Sequence, residues 1–305
     1  RRIKRLVPAL SIFVLTISLL ICFFNPMPGV SLKTGLASLF GLSNIYLQSR
    51  AVDYFAQSTE LNPFTHTWSL GVEEQFYILF PFLIWFSGFG QQTKNGTRNL
   101  LLLIGVLSIS SLISFLCIYQ INQSAAYFSS IYRFWEISTG CILFITLKRR
   151  FSIQKIIDKV PSFLTLTLIL IVMFMPISFS GLSTVMVVFL TCILITSLKK
   201  QTAAFRFFSN SKIVYIGLIS YSLYLWHWGV LSISRWTIGI HWWSVPFQLI
   251  LIFCLAVVSH RWVEQPFRKK NLFKKRWKTF TVAFCALFTL ASSLFVLGKP
   301  LRGKL

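Results

Sequence analysis

The stretch Asn62-Pro63-Phe64-Thr65-His66-Thr67-Trp68-Ser69-Leu70-Gly71-Val72-Glu73-Glu74-Gln75-Phe76-Tyr77 runs directly into the apolar segment Ile78–Phe86, and its reading decides the fold. Together the two parts are long enough and apolar enough to cross a bilayer. Yet the start of the run carries a histidine and two carboxylates. Ionisable side chains at membrane depth cost on the order of a few kcal/mol each unless they are paired or face a wet cavity. His66, Glu73 and Glu74 are therefore functional candidates by default.

Outward from this run the chain repeats the same apolar theme. Apolar residues make up 55% of the sequence and charged residues 12%, and the mean hydropathy is +0.70. An ordinary soluble domain is far more polar. The reading is an all-α, polytopic transmembrane helical bundle with about nine spans: Leu6–Phe24, Thr67–Gly88, Leu100–Tyr119, Ser130–Leu147, Ser162–Ile177, Leu182–Leu198, Ile213–Leu231, Trp243–Trp262 and Thr279–Leu297.

A formal net charge of +23 would suit a nucleic-acid binder, but the basic residues sit in loops between apolar spans, with no basic domain to dock a phosphate backbone. Orientation explains them. With the N-terminus cytoplasmic, 23 of the 30 Lys and Arg fall on inner segments and only six on outer ones, Arg133 lying within a span. The positive-inside rule then fixes the topology and puts the C-terminus outside. This requires Leu32–Gln48, which is short and holds Gly35, Gly41 and Asn44, to be a re-entrant or interfacial helix and not a crossing. The six cysteines stand singly in apolar spans, without the spacing of a zinc site, so no metal is expected.

The polar residues fall into four groups. Asn62-Pro63 reads as a helix start, and on a helix beginning there His66, Ser69, Glu73 and Tyr77 lie within about 80° of one face, with Glu74 near its edge. Buried polar side chains also glue membrane helices together, which is the structural reading of the same stripe. Gly217, Ser220, Tyr224 and His227 form a second stripe; its aromatic neighbours make an interfacial belt, but a belt does not account for His227. Arg133 and Glu136, three apart, can pair with each other or orient an acceptor. Arg2 and Arg5 lie one turn apart before Pro8, where they set topology or hold phosphates with forked hydrogen bonds. Finally, His260 and Glu264 stand four apart ahead of Pro266, which should break its helix. Histidine stripes toward the outer half and arginines at the inner mouth suit a reaction between a cytoplasmic donor and an outer acceptor, or a transporter.

At these residues the chain resembles acyltransferase family 3, the bacterial inner-membrane O-antigen and polysaccharide O-acetyltransferase type. The resemblance rests on Arg2-x-x-Arg5 with Pro8, Asn44 followed by Tyr54-Phe55, the run His66–Tyr77 with Pro81, Arg133-x-Trp135-Glu136 with Gly140, Ser220–His227, and Glu264-x-Pro266 with Arg268, in order over almost the whole chain. It implies transfer of an acyl group, usually acetyl from cytoplasmic acetyl-CoA, to a hydroxyl of an envelope glycan such as lipopolysaccharide O-antigen. No permanently bound cofactor is implied, and the partners would be the bilayer, acyl-CoA and the glycan. Arg2 and Arg5 would bind the donor. His66, Glu73, Glu74, Tyr224 and His227 would be supporting catalytic residues, with Trp68, Ser69, Arg133, Glu136 and Ser220 on the substrate. Family members begin with two further spans carrying the principal catalytic Arg and His, so that histidine is expected upstream of Arg1. The resemblance thus divides the chain into a membrane domain at 1–278, an additional span at 279–297 and, at 298–305, the start of a linker to a periplasmic SGNH-type domain. The alternative is a transporter or flippase of lipid-linked envelope sugars.

Overall fold

The computed structural model of the protein describes residues 2–50, 57–148, 160–269, 288–289 and 292–293, and every element among them is helical. By their packing the residues divide into two compact units, Arg1–Gly71 with Ile216–Leu305, and Val72–Tyr215.

The first unit is built on α1 (Arg2–Phe24), α2 (Gly29–Leu39), α3 (Ser43–Ser49) and α4 (Gln57–Glu60). It takes in the 3-10 turn Thr65–Thr67 and the first residues of α5 (Trp68–Phe86). Ala9, Leu10, Phe13, Val14, Ile17 and Ile21 recur at helical spacing on α1 and are buried against Leu32 and Leu39 of α2. Against the same stripe lie Tyr221, Leu225 and Trp226 of α12 (Ser211–Trp236). α12 comes so close that a Cβ added at Gly229 would lie 2.7 Å from the Phe13 ring. Leu32–Gln48 is two short helices meeting at Gly41, whose φ of +67° suits the residue that turns the chain between them. Eleven residues of α2 span about 16 Å, about half the hydrocarbon thickness.

The second unit packs α6 (Gly96–Ile121), α7 (Gln123–Phe128) and α8 (Ser130–Lys148), then α9 (Ser162–Met173), α10 (Ser180–Ser197) and α11 (Ala203–Phe208). Small hydroxyl residues join α6 to α8. Ser108 and Ser138 share a hydrogen bond of 2.6 Å, and Ser111 donates to the Ile131 carbonyl while accepting from the Trp135 N–H. Such interhelical bonds contribute on average about 0.6 kcal/mol in membranes. Between α5, α6 and α8 lies a cavity of about 310 Å³, walled by Val72, Phe76, Leu107 and Phe134 and edged by serines.

Each of the first eight predicted spans coincides with a helix, and the ninth, Thr279–Leu297, lies outside the described residues apart from 288–289 and 292–293. Among the described residues, five helices are long and apolar enough to cross a membrane: Arg5–Phe24, Gly96–Ile121, Ser180–Ser197, Ser211–Trp236 and Val245–Arg268. Their outward faces are apolar: Leu102, Val106, Ile109 and Ile113 on α6, and Leu249 and Ile250 on α13 (Val245–Val258), are all exposed. Lipid is the solvent that such faces require, and this is a membrane protein.

Three boundaries differ from expectation. The helix expected from Pro63 starts at Trp68, because the Asn62 Oδ1 accepts from the Phe64 N–H and i→i+3 bonds then tighten the chain through Thr67. Helix α9 ends at Met173, short of the predicted Ile177, ahead of Pro176. Pro266 does not stop its helix. A π-helical stretch at Ser259–Glu264 widens the turn, and Pro266 then falls at the second residue of α14 (Gln265–Lys269), where its missing N–H is tolerated.

Candidate functional site

The best-defined constellation lies in the first unit, around His66. Its turn is held from several sides. The Asn62 Nδ2 donates to Thr34 Oγ1, the Thr65 hydroxyl to the Thr59 carbonyl, the Thr67 hydroxyl to the Phe64 carbonyl, and Ser43 Oγ to the Thr67 carbonyl at 2.9 Å. Backbone this well bonded fixes where the imidazole points.

That imidazole is 4% exposed, and neither ring nitrogen has a hydrogen-bond partner. Aromatic rings surround it: Tyr224 at 5.1 Å, His227 at 5.6 Å, Phe13 at 5.7 Å and Trp228 at 6.0 Å between centroids. His66 stands in the turn ahead of α5, where burial, and after it the neighbouring His227, hold its pKa well below the usual histidine range. It is thus neutral at pH 7, with one N–H and one lone pair to offer. A buried polar group without a partner costs about 1–3 kcal/mol, and two such nitrogens on one ring make His66 a candidate functional group.

Helix α12 supplies the opposite wall. The Tyr224 hydroxyl donates to the backbone carbonyl of His66 and hydrogen-bonds with Ser69 Oγ at 2.6 Å. Tyr224 and Ser69 therefore hold the turn in place. His227 is half-buried, and its Nδ1 lies 3.2 Å from the Leu223 carbonyl one turn back. A carbonyl only accepts, so Nδ1 carries a proton in this contact and Nε2 points elsewhere.

A second polar cluster of the same unit was not foreseen as a whole. Glu264, 1% exposed, accepts from His260 Nδ1 at 2.9 Å, and its other oxygen is ion-paired with Arg5 Nε at 3.1 Å. Gln265 lies against His260 Nε2 at 3.1 Å. The spacing of His260 and Glu264 pointed to one half of this cluster; Arg5 is far away in sequence and only folding brings it in. The Arg5 side chain remains 44% exposed, leaving its guanidinium accessible.

Other predicted residues lie elsewhere. Arg2 is the first residue of α1, and its side chain lies outside the described residues. Trp68 is half-buried, and Ser220 is exposed on α12, a turn before Tyr224. The expected single stripe through His66, Ser69, Glu73 and Tyr77 does not form, since His66 stands in a 3-10 turn and not on the α5 wheel. Glu73 is exposed and Glu74 half-buried on α5, within the second unit. Arg133, 5% exposed, is paired with Glu136, donates to the Tyr127 carbonyl and lies over the Tyr127 and Phe115 rings at 4.6 and 5.3 Å. This ion pair lies inside the second unit.

Lipid-facing helices, an orphaned buried imidazole, a second histidine beside it and an exposed arginine define a membrane protein with a candidate polar site. Residues 1–261 match the model of the Acyltransferase domain family, acyltransferase family 3, and the chain belongs to it. Among curated proteins it is similar to the O-acetyltransferase OatA of Staphylococcus aureus strain MRSA252, at 29% identity over 334 aligned residues, 98% of this chain and 52% of that protein. The same identity and coverage hold for OatA of strain NCTC 8325 / PS 47. The chain spans about half the length of the curated relatives it matches. No solved structure matches it.

Proposed function

We propose that the chain carries the membrane-embedded machinery of an O-acyltransferase that moves an acetyl group from cytoplasmic acyl-CoA to a hydroxyl of a cell-envelope glycan, in the bacterial cytoplasmic membrane with the C-terminus outside. The observation that carries this reading is His66, buried with both ring nitrogens unpartnered beside a half-buried His227. Membership in an acyltransferase family favours it over the transporter.

In the net reaction the hydroxyl oxygen bonds to the thioester carbonyl carbon, the carbon–sulfur bond breaks, and the hydroxyl proton ends on the coenzyme A thiol. A general base is needed, along with donors for the developing oxyanion. His227, through Nε2 of its neutral form, suits the first role. The N–H of neutral His66 suits the second, or a hydrogen bond to the acceptor. Tyr224 and Ser69 keep the His66 turn in register. Arg5, accessible beside Glu264, binds a donor phosphate in this reading, with Arg2 one turn away; Glu73 and Glu74 remain candidates for acceptor hydroxyls.

The test is glycan acetylation by full-length protein in membranes at matched protein levels. His66→Gln and His227→Gln should each lower the rate about 100-fold. Wild-type rates in both variants would overturn the reading.

A further inference from the structure

The His66 turn is held from outside by a row of donors on α12 that neither the acyl-transfer reading nor the motif run uses. Trp228 Nε1 donates to the Asn62 carbonyl at 2.9 Å, Ser232 Oγ to the Leu61 carbonyl at 2.8 Å, and Trp236 Nε1 to the same carbonyl at 2.9 Å. Positions 228, 232 and 236 are i, i+4 and i+8, one stripe of a helix. Beside the stripe, Arg235 Nε is ion-paired with Glu60 at 3.1 Å, and its guanidinium lies over the Trp228 ring at 5.8 Å.

Trp228 links the two ends of this arrangement. One part of it is 6.0 Å from the His66 ring, its N–H fixes Asn62, and its face carries the Arg235 charge. A helix C-terminus favours any cation in its last turn, and for that purpose a solvated lysine would serve. Arg235 instead has its Nη1 buried without a partner, an arrangement that costs stability and needs a geometric reason. A surface ion pair contributes at most about 1 kcal/mol, so the pair with Glu60 does not supply one. Holding the Trp228 ring, and through it the imidazole, does.

We propose that Arg235 is a positioning residue for His66, acting through Trp228 with Glu60 as its counter-ion. This rests on the reading of His66 as the group that meets the acceptor, but its own test does not depend on that chemistry. In membranes containing the full-length protein, the rate at which diethyl pyrocarbonate modifies His66 is followed by mass spectrometry, alongside kcat and KM for acetyl transfer. Arg235→Gln should raise the modification rate and lower kcat, each about tenfold, with KM nearly unchanged, as expected when a reacting group is held slightly out of place. Arg235→Lys, which keeps the charge but loses the planar fork, should behave like Arg235→Gln. The exchange Glu60→Arg with Arg235→Glu removes the cation from Trp228 and should not restore either readout, whereas Glu60→Gln should give a smaller change of the same sign.

An unchanged His66 modification rate in folded Arg235→Gln protein would overturn the proposal, as would full function of Arg235→Lys. If Arg235→Gln does not fold, Arg235→Lys and Glu60→Gln decide it by the same readouts. Protein that transfers no acetyl group but shows the expected modification rates would overturn the acyl-transfer reading and leave the positioning role standing.

Discussion

At the scale of single residues, His66 is buried with both of its ring nitrogens unpartnered. Ser108, Ser111 and Ser138 are also buried, but each has a partner on a neighbouring helix. Replacing His66 by Phe fills the same ring-lined space without unpaired nitrogens. The fold should then keep or gain thermal stability while acetyl transfer falls about 100-fold; melting of the purified protein together with the glycan assay checks both. A pH dependence follows as well. The His66 pKa is lowered in the folded state, so below the ordinary histidine value of 6.5 the unfolded chain takes up a proton that the folded chain refuses. His66 thus contributes stability that is fully present above pH 6.5 and is lost as pH falls. The melting temperature should drop more steeply between pH 7 and pH 5 in the wild type than in His66→Phe.

At the scale of elements, two junctions of the first unit carry the site. Where α12 crosses α1, Gly229 allows the backbone to approach Phe13 and Ile17, and this crossing sets Tyr224 and His227 at the height of His66. Gly229→Val would drive a side chain into that contact and should cost about 1–3 kcal/mol, read as a fall in melting temperature with loss of transfer. The second junction is the π-helical stretch, which turns His260 and Glu264 inward. Glu264→Leu takes the carboxylate from both Arg5 and His260 and leaves the buried His260 Nδ1 without its acceptor, which costs about 1–3 kcal/mol. The variant should melt below the wild type, so melting and not only activity is the measurement. Here the sequence misled at Pro266: a proline reads as a stop, but a widened turn lets the helix pass it.

For the whole molecule, topology is the testable statement. The Lys and Arg asymmetry places Phe89–Asn99 inside and the residues after α12 outside. In a cysteine-free background, Thr237→Cys in intact cells should react with a membrane-impermeant maleimide, while Lys94→Cys should react only after permeabilisation. Both positions are exposed. The reverse pattern would invert the topology, and with it the assignment of a cytoplasmic donor to the Arg2 and Arg5 end.

By itself the sequence determined the helical class and the position of eight helices, because in lipid every backbone polar group must be satisfied within a helix or closed sheet and apolar length then shows where helices lie. It also showed that His66 and His227 need explanation. It did not show which polar residues meet. The tertiary structure alone decided that His66 faces Tyr224 and His227 and not a stripe ending at Glu73, since a 3-10 turn at Thr65–Thr67 breaks the helical wheel. Folding likewise brought Arg5 to Glu264, and Arg235 to Glu60, across some 170 residues or more of chain. Periodicity reports the faces of one helix, whereas hydrogen bonds and ion pairs between helices depend on how they cross, which no local pattern encodes.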